Sequence, residues 1–435
     1  MPALEIPIPV DPAAGSPTPE RIAQRNTLRR ARIAVSTYFF LVGTITATWT
    51  ARIPAVKEHL KLGDGTLSIA LLAVAAGAVL AMRVAGSLVD RLGAVRVVCP
   101  AGVLLCVSLV GPALSGDLAT LCGTLFVFGA AHGLVDVAMN VNATHLQHAV
   151  RRPIMTSIHA AFSIGGLCGA VLGGLTAHAG ISPTMSFAAH AVPSAALMLA
   201  NSRRLLPDPE HEATPESSSP ADPAPASRWS GRVALLGTLA LFCLLGEGAM
   251  ADWSAVYLND DLGTSHSVAA YGYAAFSIAM AVGRLVGDRL TARLGPAYLV
   301  RVCGLLAGCG LAAGLLTGRT WAAIAGFGLF GLGLSAIVPT IFTAVANRGP
   351  HTGRDLARVS SLGYLGFLVG PAAIGAVAHL TGLRTALALP AVLAVLIAFA
   401  APVLHTSPRR HSHDPDIDTG TALVRRPAEQ VASGS

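Results

Sequence analysis

The strongest constraint on this chain is a succession of long apolar runs at 33–51, 67–88, 97–115, 118–140, 155–178, 183–201, 233–257, 268–287, 297–317, 320–345, 359–380 and 383–405. Each approaches the roughly 20 residues that an α-helix needs to cross a hydrocarbon layer. Inside such a layer every backbone N–H and C=O must be paired within the segment, so these runs read as helices. The predicted fold class is an all-α membrane protein of twelve transmembrane helices. Composition supports this through charge: 12% of residues are charged, against about 25% in soluble domains. That is too little to cover a water-facing surface. Only Ser115-Gly116-Asp117 separates the third and fourth runs, which predicts a tight hairpin.

The remaining segments divide the chain. Residues 1–30 read as a cytoplasmic N-terminal tail without the apolar core and cleavage site of a signal peptide. Residues 202–232, rich in Pro, Ser and Glu, read as a linker, and 406–435 as a polar C-terminal tail. The linker leaves a six-helix bundle over 31–201 and another over 233–405. Lys and Arg in the loops number 22 on the side of the N-terminus and five on the other. That bias predicts both termini on the cytoplasmic side of the cell membrane. The formal net charge of +7 therefore speaks to membrane topology, and no nucleic-acid partner is expected. The seven cysteines lie in apolar runs without metal spacing and read as small buried residues.

The two halves repeat at an offset near 200 residues. Thr48-Trp49-Thr50-Ala51 matches Asp252-Trp253-Ser254-Ala255, and Arg83-Val84-Ala85-Gly86 matches Arg284-Leu285-Val286-Gly287. Further along, Arg91-Leu92-Gly93 matches Arg293-Leu294-Gly295, Phe128-Gly129 matches Phe330-Gly331, and Gly169 matches Gly370. Internal repeats of this kind accompany transporter folds.

The loop Gly86-Ser87-Leu88-Val89-Asp90-Arg91-Leu92-Gly93-Ala94-Val95-Arg96 resembles the signature G-x-L-x-D-R-x-G-R-R of the major facilitator superfamily. Ala94 and Val95 depart from it, and the second-half copy Gly287-Asp288-Arg289-Leu290-Thr291-Ala292-Arg293-Leu294-Gly295 is degenerate. The resemblance covers residues 31–405. It implies two pseudo-symmetric six-helix bundles, alternating access, and a gating latch at Gly86, Asp90, Arg91, Gly93 and Arg96. Three segments, 136–142, 157–163 and 247–254, resemble bacterial proteins grouped with the rhizopine-associated MosC membrane protein. More distantly they resemble the fucose permeases. Those permeases place an acid and an Asn four residues apart on the fourth helix, as Asp136 and Asn140 stand here. They also carry an acid on the first helix, where this chain has only Thr44, Thr46, Thr48 and Thr50.

A charge at mid-membrane costs roughly 2.5–3.5 kcal/mol on insertion scales, so it usually faces the bundle interior or a wet cavity. His132, Asp136 and Asn140 follow i, i+4, i+8 spacing and share one stripe of the fourth helix. Glu247 lies near the centre of the seventh run, with Asp252 beyond it. The resemblance places the first, fourth, seventh and tenth helices at the cavity. Asp136 and Glu247 are therefore candidates for proton exchange or substrate binding, with His132, Asn140, Asn142, His159 and Asp252 around them. Structural alternatives stand beside these. Asp136 could pair with Arg151 or Arg152, and Glu247 could hydrogen-bond a neighbouring helix. Asp252 could serve a gate or simply be solvated, and His159, Asn140 and Asn142 could bridge helices. Arg83 and Arg284 are expected to snorkel to the interface, and Arg52, on the outer side, to be solvated or else to attract an anion.

No P-loop, metal-ligand spacing or G-x-S-x-G elbow is present, so neither an enzyme nor a bound cofactor or metal is expected. The sequence-level reading is a monomeric proton-coupled carrier of a small polar solute, sugar- or cyclitol-like. The alternative is a proton-antiport exporter of drugs or metabolites. The run Gly165 to Gly174 keeps the glycines of the exporter pattern G-x-x-x-G-P-x-x-G-G, with Ala170 in place of its Pro.

Overall fold

The computed structural model describes residues 18–208, 230–347 and 352–404. The start of the expected N-terminal tail, most of the expected linker and the expected C-terminal tail lie outside the described residues. Among the described residues twelve helical spans follow one another: α1 (Pro19–His59), α2 (Asp64–Leu92), α3 (Ala94–Leu114), α4 (Leu118–Val150), α5 (Met155–His178), α6 (Pro183–Ser202), α7 (Gly231–Asp261), α8 (His266–Leu294), α9 (Pro296–Thr317), α10 (Thr320–Ala346), α11 (Thr352–Thr381) and α12 (Leu383–Leu404). Ten are long and apolar enough to cross a bilayer by themselves. The other two, α6 and α8, carry His190 with Pro193, and Arg284 with Asp288, Arg289 and Arg293. Leu167, Val192, Leu316, Trp321, Leu380 and Phe399 are exposed, an apolar exterior suited to lipid.

Local signals set the helix ends. Thr18 caps α1 ahead of Pro19, a position where the missing proline N–H costs nothing. Asp117 accepts the Thr120 N–H at 2.8 Å, and Thr120 returns a bond to the Asp117 N–H. This capping box closes the expected α3–α4 hairpin. Within α10, helix breaks between Leu334 and Ile337. Pro339 cannot donate to the Ser335 carbonyl one turn back, which accounts for the break.

Packing is the same in both halves. α1 lies against α5 and α6, α2 against α4, and α3 against α4 and α6. In the second half α7 lies against α11 and α12, α8 against α10, and α9 against α10 and α12. Glycines set the closest crossings. A Cβ on Gly165 or Gly169 would overlap the carbonyl oxygens of Phe40 and Thr44. A Cβ on Gly366 or Gly370, 201 residues on, would meet those of Leu241 and Leu245. Gly129 against Val74 and Gly331 against Phe276 repeat the relation at the α2–α4 and α8–α10 crossings. Without a hydrophobic driving force between helices in lipid, such close approach supplies the packing energy.

Some expectations need correction. α1 begins within the residues read as tail. The chain after α6 does not leave the bundle at residue 202: Leu205 is buried and Asp208 binds the start of α3. Arg52 is buried, donating to the Ile181 carbonyl, because α1 continues past it to His59 and keeps it among helices. Among the cysteines Cys309 is exposed, on the outward face of α9.

Candidate functional site

Polar side chains from α4, α5, α7, α8 and α11 meet deep in the bundle, where the two halves face each other. Glu247 is the 17th residue of α7 and Asp136 the 19th of α4, each about 25 Å along its helix at 1.5 Å per residue. Arg284 Nη2 lies 3.8 Å from Glu247 Oε2. Arg284 Nη1 donates to Ser163 Oγ of α5 at 2.5 Å. A second-half cation thus holds a second-half acid and a first-half hydroxyl together. Arg284 is 8% exposed and its Nε has no hydrogen-bond partner. The expectation that it snorkels is corrected: its repeat counterpart Arg83 faces outward, whereas Arg284 turns in toward Glu247. A buried guanidinium is tolerated only where such a counter-charge is close.

The α4 stripe faces α11. His132 Nδ1 and the Tyr364 hydroxyl lie 2.9 Å apart. Asn140 Nδ2 donates to the Asp136 backbone carbonyl at 2.8 Å and to its carboxylate at 3.3 Å. The buried Ser360 hydroxyl of α11 lies beside Asp136. Tyr364 is within electrostatic reach of both Asp136 and Glu247. The partners of Asp136 are thus on α4 and α11, while Arg151 and Arg152 lie exposed beyond the end of α4.

His159 sits in the second turn of α5, between the rings of Phe39 and Phe342 at 5.0 and 6.0 Å. Its Nδ1 is 3.0 Å from the Met155 carbonyl. Only a protonated Nδ1 can make that bond, which leaves Nε2 as the free acceptor. Two candidates are not brought into the cluster. Asn142 turns away and donates to the Leu206 carbonyl at 2.9 Å, beside Tyr38 and Val98. Asp252 is exposed, about 7.5 Å beyond Glu247 along α7. On α1, Thr44, Thr46, Thr48 and Thr50 all donate to carbonyls one turn back. Among the described residues, no group of three or more His, Cys, Asp or Glu is placed to hold a metal.

The halves are also joined at the end of the bundle that holds the α2–α3 connection. Asp90 accepts the Gly353 and Arg354 N–H groups in the first turn of α11, at 3.0 and 3.3 Å, and pairs with Arg354 Nε at 3.1 Å. Asp288 accepts the Thr156 and Ser157 N–H groups in the first turn of α5, at 2.9 and 3.1 Å. Both acids satisfy orphan donors and meet the positive pole of a helix. Gly86 and Gly287 let these helices approach: a Cβ would strike Arg354 and Gly353 at the first, and Thr156 at the second. Gln147 Nε2 donates to Thr343 Oγ1 at 3.1 Å, and His148 Nε2 lies 2.7 Å from Asn347 Oδ1. Arg91 and Arg96 are exposed.

Gly93 serves a different contact. It links α2 to α3 at φ +91°, and Asp208 Oδ2 occupies the place of its missing Cβ. Asp208 accepts the Ala94 N–H at 2.8 Å and the Val95 N–H at 3.3 Å, and lies 3.5 Å from His145 Nδ1. Burial alone would push its carboxyl up, but the bonds from His145, Ala94 and Val95 outweigh this and hold it below the usual carboxylate range. A depressed folded-state pKa contributes stability above the unfolded value near 3.9, lost as pH falls through the folded value. Asp208→Ala is expected to cost about 1 kcal/mol. The melting difference from the native protein should be constant from about pH 8 to pH 5 and shrink below about pH 4.

Sequence reasoning did not find Tyr364, Ser360, Ser163, Asp208 or the inward turn of Arg284. Asp288 carried a usable signal, since it follows Gly287, the copy of Gly86. Tyr364 and Ser360 carried none, being uncharged hydroxyl residues in an otherwise apolar stretch.

Comparison with known proteins gives a consistent picture. The profile of the family described as Major Facilitator Superfamily matches residues 34–354 and 238–431. An uncharacterized MFS-type transporter of Yersinia pestis is 37% identical over 366 residues, covering 83% of this chain and 93% of that protein. Membrane protein MosC of Rhizobium meliloti is 32% identical over 369 residues, covering 85% of this chain and 88% of that protein. The solved structure of the transporter FucP in its outward conformation superposes with a TM-score of 0.73 at 17% identity, over 86% of this chain and 99% of that one. A second FucP structure, named as the E. coli fucose:proton symporter, superposes with a TM-score of 0.68 at 17% identity, over 86% of this chain and 98% of that one.

Proposed function

This chain belongs to the major facilitator superfamily and is a multi-pass membrane transporter rather than an enzyme, and from that premise we propose that it carries a small polar organic solute together with protons by alternating access. The observation that carries this reading is the buried bridge from Glu247 through Arg284 to Ser163, with Tyr364 within electrostatic reach of both Glu247 and Asp136. Charges at this depth are costly and are kept where they bind or move something. Protonation of Glu247 removes its hold on Arg284, and Arg284 spans both halves. The proton and the conformational state therefore bias each other, as coupling requires. The hydroxyl, amide and imidazole groups of Ser360, Tyr364, Asn140 and His132 suit a polyhydroxylated solute, sugar- or cyclitol-like. The naming of FucP as a fucose:proton symporter supports the same class. Under the orientation set by the loop charges, the end closed by Asp90 and Asp288 is cytoplasmic, and the chain works as a monomer in the bacterial inner membrane.

The test is uptake into proteoliposomes. With an acid exterior and labelled sugars and cyclitols, the gradient is expected to accelerate uptake of the accepted solute at least tenfold. Glu247→Gln should abolish that acceleration, and Asp136→Asn should reduce it strongly. Gradient-driven uptake left intact in both variants would disprove proton coupling through this site.

A further inference from the structure

The Arg284 guanidinium is only partly matched by the groups around it. It has five N–H donors in a fixed planar fork. One bond goes to Ser163 Oγ. The nearest Glu247 oxygen, at 3.8 Å, balances charge but lies beyond hydrogen-bond length. Nε is buried without a partner, although leaving a buried donor of a charged group unpaired is expensive. Such a fork is shaped to take two oxygens of one planar anion.

Resting on the reading of this chain as a proton-coupled carrier, we propose that Arg284 is the anchor for a carboxylate on the transported solute, and that Glu247 occupies the place of that carboxylate between transport events. Glu247 and Arg284 together are neutral. A proton on Glu247 leaves one net positive charge, which matches a monoanionic carboxylate better than a doubly charged phosphate. The other titratable groups around the pair are His159 of α5, Cys243 of α7, Tyr273 of α8, and Tyr364 of α11 with Asp136 behind it. Ser163 places a first-half hydroxyl on the same guanidinium, so the anion is gripped where the halves meet. The hydroxyl-rich side formed by Tyr364, Ser360 and Asn140 takes the uncharged end of the solute. One proton and one monoanion then cross together, and the cycle moves no net charge.

The experiment uses the purified full-length protein and matched probes: hexuronates and short hydroxycarboxylates, each beside its neutral alcohol or amide, and a hexose phosphate. In a thermal-shift assay at pH 6, a carboxylate is expected to raise the melting temperature of the native protein, and its neutral twin and the phosphate at least tenfold less effectively by concentration. Arg284→Gln should weaken carboxylate binding at least tenfold, with Arg284→Lys intermediate because it keeps the charge and loses the fork. Glu247→Gln should bind the carboxylate at least threefold more tightly at pH 8, an outcome independent of whether Arg284 variants fold. Uptake of the carboxylate into proteoliposomes should respond to a pH gradient and change less than twofold under an imposed membrane potential. A panel in which no carboxylate outperforms its neutral twin overturns the proposal. So does undiminished binding by Arg284→Gln or weakened binding by Glu247→Gln. Potential-sensitive, proton-driven uptake of a neutral solute would overturn it while leaving the proton-coupled carrier standing. Gradient-insensitive uptake would remove the proton-coupled reading itself.

Discussion

Replacing Gly165 with leucine is expected to lower the melting temperature in detergent by about 3–4 °C, while the same change at Gly166 leaves it within about 1 °C. The two glycines are adjacent on α5, but they meet different surroundings. A Cβ on Gly165 overlaps the Phe40 carbonyl of α1, whereas one on Gly166 has nothing within 4 Å. The obstacle at Gly165 is backbone, which cannot rotate away, so α1 and α5 must separate along their whole crossing. Overpacking of this kind costs about 1–3 kcal/mol, and a backbone clash falls at the upper end. Three kcal/mol in a chain of 435 residues, whose unfolding entropy is roughly 0.9 kcal/mol per kelvin, is worth roughly 3–4 °C. Gly366→Leu, at the α7–α11 crossing, should behave as Gly165→Leu does, because its Cβ meets the Leu241 carbonyl in the same way. Equal tolerance at Gly165 and Gly166 in a scanning-fluorimetry comparison would contradict the packing described above.

The second large effect concerns the closed end. The double variant Asp90→Asn/Asp288→Asn is expected to open it. Each carboxylate accepts two backbone N–H groups at a helix start, and each such cap contributes about 1 kcal/mol, more when charged and partly buried. Asparagine keeps the shape but replaces one acceptor oxygen with a donor that faces N–H groups. Losing both caps should shift the balance between closed and open by about 2–4 kcal/mol, roughly 30- to 1000-fold. Spin labels on the exposed Arg91 and Arg293 positions, one on each half, should give a short distance in an otherwise native, cysteine-free protein and a longer one in the double variant. An unchanged distance distribution would mean that the caps do not hold the end closed.

Much of the architecture was legible because lipid leaves a chain few options. Apolar runs of spanning length had to become helices, and the motifs repeated near 200 residues marked two matching halves before any contact was known. The site was less legible for a definite reason. Sequence spacing shows which residues share a face of one helix, so His132, Asp136 and Asn140 could be grouped. It does not show how that helix is rotated against its neighbours. Arg83 and Arg284 stand at matched places, yet one faces outward and the other lies beside Glu247. Asn142, two residues from Asn140, faces the chain after α6 instead. The partners Ser163, Ser360 and Tyr364 come from helices distant in sequence, and uncharged hydroxyls in apolar runs announce nothing. Asp288 was hidden by register. It does for α5 what Asp90 does for α11, but directly after its glycine rather than one turn later.

The duplicated crossings bear on how variation along this chain should be distributed. If tolerance to substitution were measured at every position and treated as a signal, it should correlate with itself at a lag of 201–202 residues. Gly165 with Gly366, Gly169 with Gly370, and Gly129 with Gly331 would carry that peak. The positions of Asp136, Glu247 and Arg284 should contribute nothing to it, since their counterparts at that lag do not share their surroundings. Filtering out the periodic component would leave a residual enriched in the residues that handle the cargo, obtained without knowing what the cargo is.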